Sequence, residues 1–183
     1  MKNFACTNCG SKVHFENRRC LACGLDLGFE ADTCRLVALR PTEAAGVFEV
    51  VGRTPSQRVR YCANLAYGVC NWLAPASSDW GLCPACSLNR TIPNLSEPGS
   101  LAAWGQLEAA KKRMVYSLLR FDLPMTAPDV GGLTFDFVRH ATTGHLDGVI
   151  TIDVLEADAV ERERQKQLFG EPYRSLLGHL RHE

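Results

Sequence analysis

The cysteines are the residues of this 183-residue sequence whose spacing points most directly to chemistry. All nine lie between Cys6 and Cys86, and the second half of the chain has none. No apolar stretch of a secretory signal precedes Cys6, so we expect a cytoplasmic protein. In a reducing compartment, clustered cysteines bind metal ions more often than they form disulfides. The front half of the sequence is therefore predicted to bind metal.

The first metal site is predicted from two Cys-x2-Cys-Gly units. They supply four thiolates, from Cys6, Cys9, Cys20 and Cys23. A two-residue gap lets both sulfurs of a unit reach one ion, and four sulfurs complete a tetrahedral zinc site that leaves no position for water. Such a site is structural rather than catalytic. The pattern indicates a zinc ribbon, and iron bound by similar knuckles is the alternative that the spacing leaves open.

The second metal site has looser spacing. Cys83-Pro-Ala-Cys86 is another knuckle, whereas Cys62-x7-Cys70 must close through a longer loop. Four thiolates again predict a structural zinc site, and the alternative is that Cys62 or Cys70 is a buried cysteine and no ligand. Cys34 stays outside both groups and is expected to be a core thiol at the start of a strand. The apolar residues expected to form the module's small core are Trp72, Leu73 and Trp80.

The last two residues, His182 and Glu183, are the other feature with chemical meaning. In zincins, His-Glu-x-x-His on a helix places two imidazoles on one zinc ion, and the glutamate polarises the attacking water. A His-Glu pair alone is also typical of any polar helix end. Its meaning therefore depends on the elements that precede it.

Those elements follow the order of the N-terminal part of a zincin domain. An apolar stripe at helical spacing begins with Trp104 and Leu107, and Lys111 at its edge is expected to reach solvent with its amine. Alternating residues predict strands, the second of them edge-like. The predicted elements are a helix at 101–121, strands at 133–138 and 148–154, a charged helix at 157–169 and a helix that starts at Pro172.

Nearly the whole chain resembles a bacterial family of zinc-binding metallopeptidases with an N-terminal zinc ribbon. Several stretches long enough to be specific carry the resemblance. They are Tyr61-Cys-Ala-Asn with Gly68-Val-Cys-Asn-Trp-Leu73, Cys86-Ser-Leu-Asn-Arg-Thr-Ile-Pro93, Gly144-His with Gly148-Val-Ile-Thr-Ile-Asp153 and Glu156-Ala-Asp158, and Gly170-Glu-Pro-Tyr-Arg-Ser-Leu-Leu-Gly-His-Leu-Arg-His-Glu183.

The resemblance implies roles for the two terminal residues. His182 corresponds to the first histidine of the motif, a zinc ligand, and Glu183 to the glutamate that acts as general base in hydrolysis of a peptide or protein substrate. The second histidine and the third ligand have no counterpart here. We therefore expect a truncated member that is inactive as it stands. The edge-like strand at 149–154 is expected to align peptide substrate by main-chain pairing.

Composition limits the choice of partners. Lys+Arg and Asp+Glu number 20 each, and each zinc ion with four thiolates adds a charge of about −2, so nucleic-acid binding is not expected. No run of about 18 apolar residues predicts a membrane span. The apolar helix faces of the rear half predict self-association where nothing covers them. The alternative function, from another class, is a non-enzymatic zinc-ribbon adaptor that contacts protein or nucleic acid.

The sequence thus predicts an α+β chain in which small, metal-stabilised zinc-ribbon β modules precede the N-terminal part of a zincin-like α+β domain. The predicted segments are a zinc ribbon at 1–33, a second four-cysteine zinc-binding module with short strands at 34–92 and the peptidase portion at 93–183.

Overall fold

The structure is a computed structural model that describes residues 3–53, 57–78, 81–125 and 132–182. It contains both helices and sheets, which confirms the α+β fold class. The chain divides into two compact units, Met1–Cys86 and Ser87–Glu183. In the described part of the chain, no helix is both long and apolar enough to cross a membrane.

The first unit combines a small hairpin with a five-stranded antiparallel sheet. The hairpin pairs β1 with β2, and the sheet runs in sequence order from β3 to β7. The hairpin strands are Phe4–Ala5 (β1) and Lys12–Val13 (β2). The sheet strands are Asp26–Glu30 (β3), Arg35–Pro41 (β4), Phe48–Val50 (β5), Arg58–Tyr61 (β6) and Leu73–Pro75 (β7).

The sheet curls, so that its first strand, β3, contacts the residue immediately before its last strand, β7. Phe29 in β3 bridges Trp72, and Gly28 lies directly under the side chain of Leu73, where a Cβ atom would come within 2.6 Å of Leu73 Cγ. Curling encloses an apolar core. The core contains Val37, Leu39, Val50, Val59 and Leu73, with Phe48 and Tyr61 packed against it.

Aromatic rings connect the hairpin to this sheet. Phe15 stacks on Phe4 with centroids 5.6 Å apart and meets Phe29 edge-on at 4.9 Å. Phe29 in turn lies 4.4 Å from Trp72. The strands β3 and β4 pair on either side of residue 33, and the hairpin and the sheet lie in the same compact unit.

The described residues of the second unit form a four-stranded mixed sheet with three α-helices. The strand order is β10-β11-β9-β8, in which β11, β9 and β8 run parallel and β10 runs antiparallel to β11. Parallel neighbours need a crossover, and α1 provides it between β8 and β9. The elements are Asn89–Thr91 (β8), Ser100–Arg120 (α1), Thr134–Val138 (β9), Gly144–Leu146 (β10), Val149–Asp153 (β11), a 3-10 turn at Val154–Ala157, Ala159–Leu168 (α2) and Leu176–His182 (α3).

Three expectations for this unit are wrong. The strand expected at the edge, β11, lies between β10 and β9. Past the residues of β11 that pair with β10, the amide of Asp153 donates to Thr143 Oγ1. The last helix starts at Leu176 and not at Pro172. Lys111 is fully buried. Its burial is tolerated because its amine donates hydrogen bonds to Glu108, one turn earlier, and to Asn89 in β8. Packing against the sheet therefore covers more of α1 than its apolar stripe indicates.

Candidate metal centres

The first cysteine cluster has the geometry of a zinc site. The sulfurs of Cys6, Cys9, Cys20 and Cys23 all lie within 4.8 Å of one another. Cys6 and Cys23 are 3.8 Å apart, and Cys9 and Cys20 are 3.6 Å apart. A tetrahedron with zinc–sulfur bonds of about 2.3 Å separates its sulfurs by about 3.8 Å, whereas a disulfide bond is about 2.05 Å long. The four residues therefore fit a zinc ion and not a pair of disulfides.

Tight turns place these thiols. Gly10 and Gly24 have φ angles of 76° and 73°, a conformation that glycine adopts without steric cost. In each turn the glycine amide donates to the carbonyl of the first cysteine, Cys6 at 2.9 Å or Cys20 at 2.8 Å. The two-residue gap and the following glycine thus produce the knuckle locally, which is why its spacing in the sequence was enough to predict it.

The thiols of this first cluster are unequally exposed. Cys6 and Cys20 are buried, whereas Cys9 is exposed. Hydrogen bonds from the hydroxyl and amide of Ser11 lower the pKa of Cys9 to about 6, and burial raises the pKa of Cys6 to about 11. Zinc binds the thiolate form, so Cys9 is ready to bind near neutral pH.

The second cluster is completely buried. The sulfurs of Cys62, Cys70, Cys83 and Cys86 also lie within 4.8 Å of one another, with Cys70 and Cys83 at 3.7 Å. Hydrogen bonds from the neighbouring thiols lower the pKa of Cys62, and burial raises that of Cys83. Four sulfurs at tetrahedral spacing again fit structural zinc. The prediction of two four-cysteine zinc sites is confirmed, and the reading of Cys62 or Cys70 as an isolated core thiol is wrong.

The long gap in this second cluster is bridged by secondary structure. A 3-10 helix at Ala63–Tyr67 follows Cys62, and Gly68 in the left-handed conformation turns the chain back to Cys70. Backbone amides then face the sulfurs: Cys83 N–H donates to Cys62 Sγ and Trp72 N–H to Cys70 Sγ, each at 3.4 Å. Trp72 and Leu73 are buried beside the site as expected. Trp80 lies outside the described residues.

Cys34 belongs to neither cluster. It lies in the turn before β4, with a φ angle of 50°, and its thiol donates to the carbonyl of Ala31 at 3.4 Å. It is only partly buried, so the expectation of a core thiol is wrong, because the residue occupies the turn and not the strand.

One of the two predicted catalytic residues lies at the end of α3. His182 is the last residue of that helix and is exposed, and Glu183 lies outside the described residues. His182 lines an open cleft of about 390 Å³ together with His179, Tyr173 and Ser175. Within the described ranges, only the two cysteine clusters bring three or more metal-binding side chains together. The roles of His182 and Glu183 therefore stay predictions.

One charged residue near α3 has no role predicted from the sequence, although Glu156-Ala-Asp158 is among the stretches that carry the resemblance. Glu156 is buried and contacts His179, with 2.6 Å between Glu156 Oε2 and His179 Nδ1. A single glutamate after a strand has no distinctive sequence signal, and its partner lies 23 residues further along the chain.

Comparison with known proteins gives two family matches along the chain. Residues 3–97 match a zinc-ribbon domain, and residues 100–183 match a family described as "Putative zinc-binding metallo-peptidase". Uncharacterized proteins of Mycobacterium tuberculosis and Mycobacterium bovis are 38% identical over 190 residues, which cover 100% of this chain and 52% of each relative. The chain thus spans about half the length of these relatives. No solved structure matches it. The chain therefore belongs, over its first half, to a zinc-ribbon family, and the residues that follow match the family described as "Putative zinc-binding metallo-peptidase".

Proposed function

We propose that the chain forms the zinc-ribbon domain and the N-terminal part of the peptidase domain of a zinc-dependent peptidase. The observation that carries this proposal is the match of residues 100–183 to the metallo-peptidase family, which ends on His182-Glu183. In this proposal His182 is a zinc ligand and Glu183 accepts the proton of the attacking water. Bound zinc would polarise the water and the scissile carbonyl.

The peptide would pair with β10 rather than with β11. In the described part of the sheet, β10 is an outer strand whose only partner is β11, and its Leu146 is 73% exposed. An extended peptide can add to such an edge by main-chain hydrogen bonds. The strand β10 would thus align the peptide, a role that the sequence predicts for its neighbour β11.

The 183 residues alone are proposed to be inactive. A catalytic zinc ion needs about three protein ligands and one open position for water. Of the zincin motif, the sequence contains His182 and Glu183 only. One imidazole at a helix end cannot hold zinc in a fixed geometry, so Glu183 would have no activated water to deprotonate.

A peptidase assay with added zinc tests the proposal. It compares the 183-residue chain, a version extended by the codons that follow residue 183 in the gene, and the extended version with Glu183→Gln. We expect turnover by the extended wild type alone. Zinc-dependent turnover by the 183-residue chain would contradict its proposed inactivity, and turnover by the extended Glu183→Gln variant would contradict the role of Glu183.

The second candidate, an adaptor that binds protein through the ribbon, is favoured by one exposed residue. Leu21 lies between the ligands Cys20 and Cys23 and is 97% exposed. An apolar side chain at the tip of a zinc knuckle is suited to a protein contact. An extended chain that holds two zinc ions and has no peptidase activity would favour this function.

A further inference from the structure

Glu156 is a buried carboxylate at the junction of four segments in the second unit. It is 7% exposed and lies in the 3-10 turn that follows β11. Its Oε1 accepts a hydrogen bond from Thr143 at 2.6 Å, and its Oε2 lies 2.6 Å from His179 Nδ1. Arg174 approaches Oε1 at 3.5 Å, and Arg162 donates to the Glu156 carbonyl.

These contacts keep Glu156 ionised. Burial alone raises the pKa of Glu156, but the hydrogen bonds from His179 and Thr143 outweigh it, so that the pKa lies below its usual value. A hydrogen bond to an ionised carboxylate is shorter and stronger than one between neutral groups. The contact with His179 is therefore a firm link between the 3-10 turn and α3.

The helix α3 depends on such links because it has only seven residues. A helix this short is not stable by itself in water. On one side Leu180 is buried and Arg181 donates to Ser117 of α1 at 2.9 Å. On another side His179 meets Glu156. Two attachments in different directions fix the rotation of the helix about its axis, which one attachment would leave free.

The rotation of α3 decides where His182 points. His179 and His182 are three residues apart, which places them about 60° apart around the helix. Both line the same cleft. A rotation that released His179 from Glu156 would move His182 by the same angle.

We propose that Glu156 is a positioning residue: by holding His179 Nδ1 it fixes the rotation of α3 and thereby the direction in which His182 presents its imidazole. The functional part of this inference rests on the proposed role of His182 as a zinc ligand. The structural part, that Glu156 holds α3, does not depend on it.

The first test needs no activity. Hydrogen exchange of residues 176–182 is measured in the 183-residue chain, in Glu156→Ala and in the control Glu171→Gln, which removes the other acidic partner of Arg174 without touching His179. We expect exchange in α3 to be about tenfold faster in Glu156→Ala, with α1 and the control unchanged. Equal exchange in Glu156→Ala and wild type would overturn the proposal.

A double-mutant cycle keeps the test valid if Glu156→Ala is poorly folded. Glu156→Gln and His179→Asn are compared singly and together by the same exchange measurement. If the two residues act through their mutual contact, the double variant exchanges no faster than the more affected single variant. Additive effects would overturn the proposed link.

The second test addresses the functional part in the extended protein. Loss of a group that hydrogen-bonds a metal ligand typically costs about 10- to 100-fold in metal affinity or activity. Because Glu156 acts on His182 through His179, the lower end of that range is expected. We expect Glu156→Gln to lower zinc affinity and kcat by about tenfold with KM unchanged, and Glu171→Gln to change neither. Faster exchange in α3 with unaltered zinc affinity would overturn the functional part. If the extended wild type is inactive while α3 still responds to Glu156→Ala, the proposed peptidase function fails and the role of Glu156 in α3 stands.

Discussion

A buried ion pair in α1 allows a quantitative test of how charge is tolerated in the second unit. Lys111 Nζ lies 2.8 Å from Glu108 Oε1, and both side chains are 0% exposed. The carboxylate also accepts hydrogen bonds from Asn89 Nδ2 at 2.5 Å and Trp104 Nε1 at 3.1 Å. Glu108 thus accepts from one cation and two neutral donors at a site with no solvent exposure.

Lys111→Met keeps the length of the side chain and removes its charge. Glu108 would then lose the cation that contacts its Oε1, and removing one partner of a buried pair in this way costs about 3–5 kcal/mol of unfolding free energy. The double variant Glu108→Gln with Lys111→Met removes both charges and keeps an amide oxygen as the acceptor for Asn89 and Trp104. Its main remaining cost is the Asn89 Oδ1 atom that loses the Lys111 amine, about 1–3 kcal/mol. We therefore expect the double variant to be more stable than Lys111→Met.

The matched control is an ion pair of the same spacing on the surface. Lys166 and Glu163 are also three residues apart, at 3.1 Å, but their side chains are 30% and 53% exposed. Lys166→Met should cost less than about 0.5 kcal/mol.

Urea denaturation followed at Trp104 measures these differences. With only three tryptophans in the chain, 5-fluorotryptophan labelling and fluorine NMR give each its own signal, and Trp104 reports on the second unit. A loss in Lys111→Met no larger than in Lys166→Met would refute the reasoning, as would a double variant less stable than Lys111→Met.

Three further predictions concern the metal sites, the pH dependence and the packing of the sheet. Protein purified without added metal should contain about two zinc equivalents by elemental analysis, and Cys9→Ser about one; mainly iron would contradict the metal assignment. The hydrogen bond from Arg90 holds the pKa of Asp136 below its ordinary 3.8. The stabilisation of the folded state by this ion pair is therefore complete above that value and is lost as the pH falls through the lowered pKa. Asp136→Asn should therefore destabilise the Trp104-reported transition at pH 7, with a difference that shrinks below pH 3.8, and a constant difference would count against the ion pair. Gly28→Ala should cost about 1–3 kcal/mol by overpacking against Leu73, measured as a lower urea midpoint of the first unit; an unchanged midpoint would show that Leu73 moves aside freely.

The sequence by itself determined the features that depend on a few consecutive residues. The Cys-x2-Cys-Gly spacing closes a knuckle locally, since two intervening residues and a left-handed glycine bring both sulfurs to one ion. The first zinc site could therefore be predicted with its four ligands. The second site followed from the number of cysteines. The apolar periodicity of α1 and the alternation of β9 and β11 likewise predicted these elements.

Only the tertiary structure decided which of these elements cover one another. Alternation made β11 a half-buried strand, but its position between two neighbours depends on β10 folding back and on β9 running parallel. Phe121 is the last residue of the helix predicted at 101–121, yet it follows the last turn of α1 and is 74% exposed.

The charged residues show the same limit most clearly. Hydrophobic pattern alone predicts that Lys111 reaches solvent, whereas a carboxylate one turn away and an amide in β8 make its burial tolerable. Glu156 meets His179 only because the 3-10 turn and α3 come together across 23 residues. Burial of a charge depends on partners that are distant in the chain, and their positions are a property of the folded structure rather than of any local pattern.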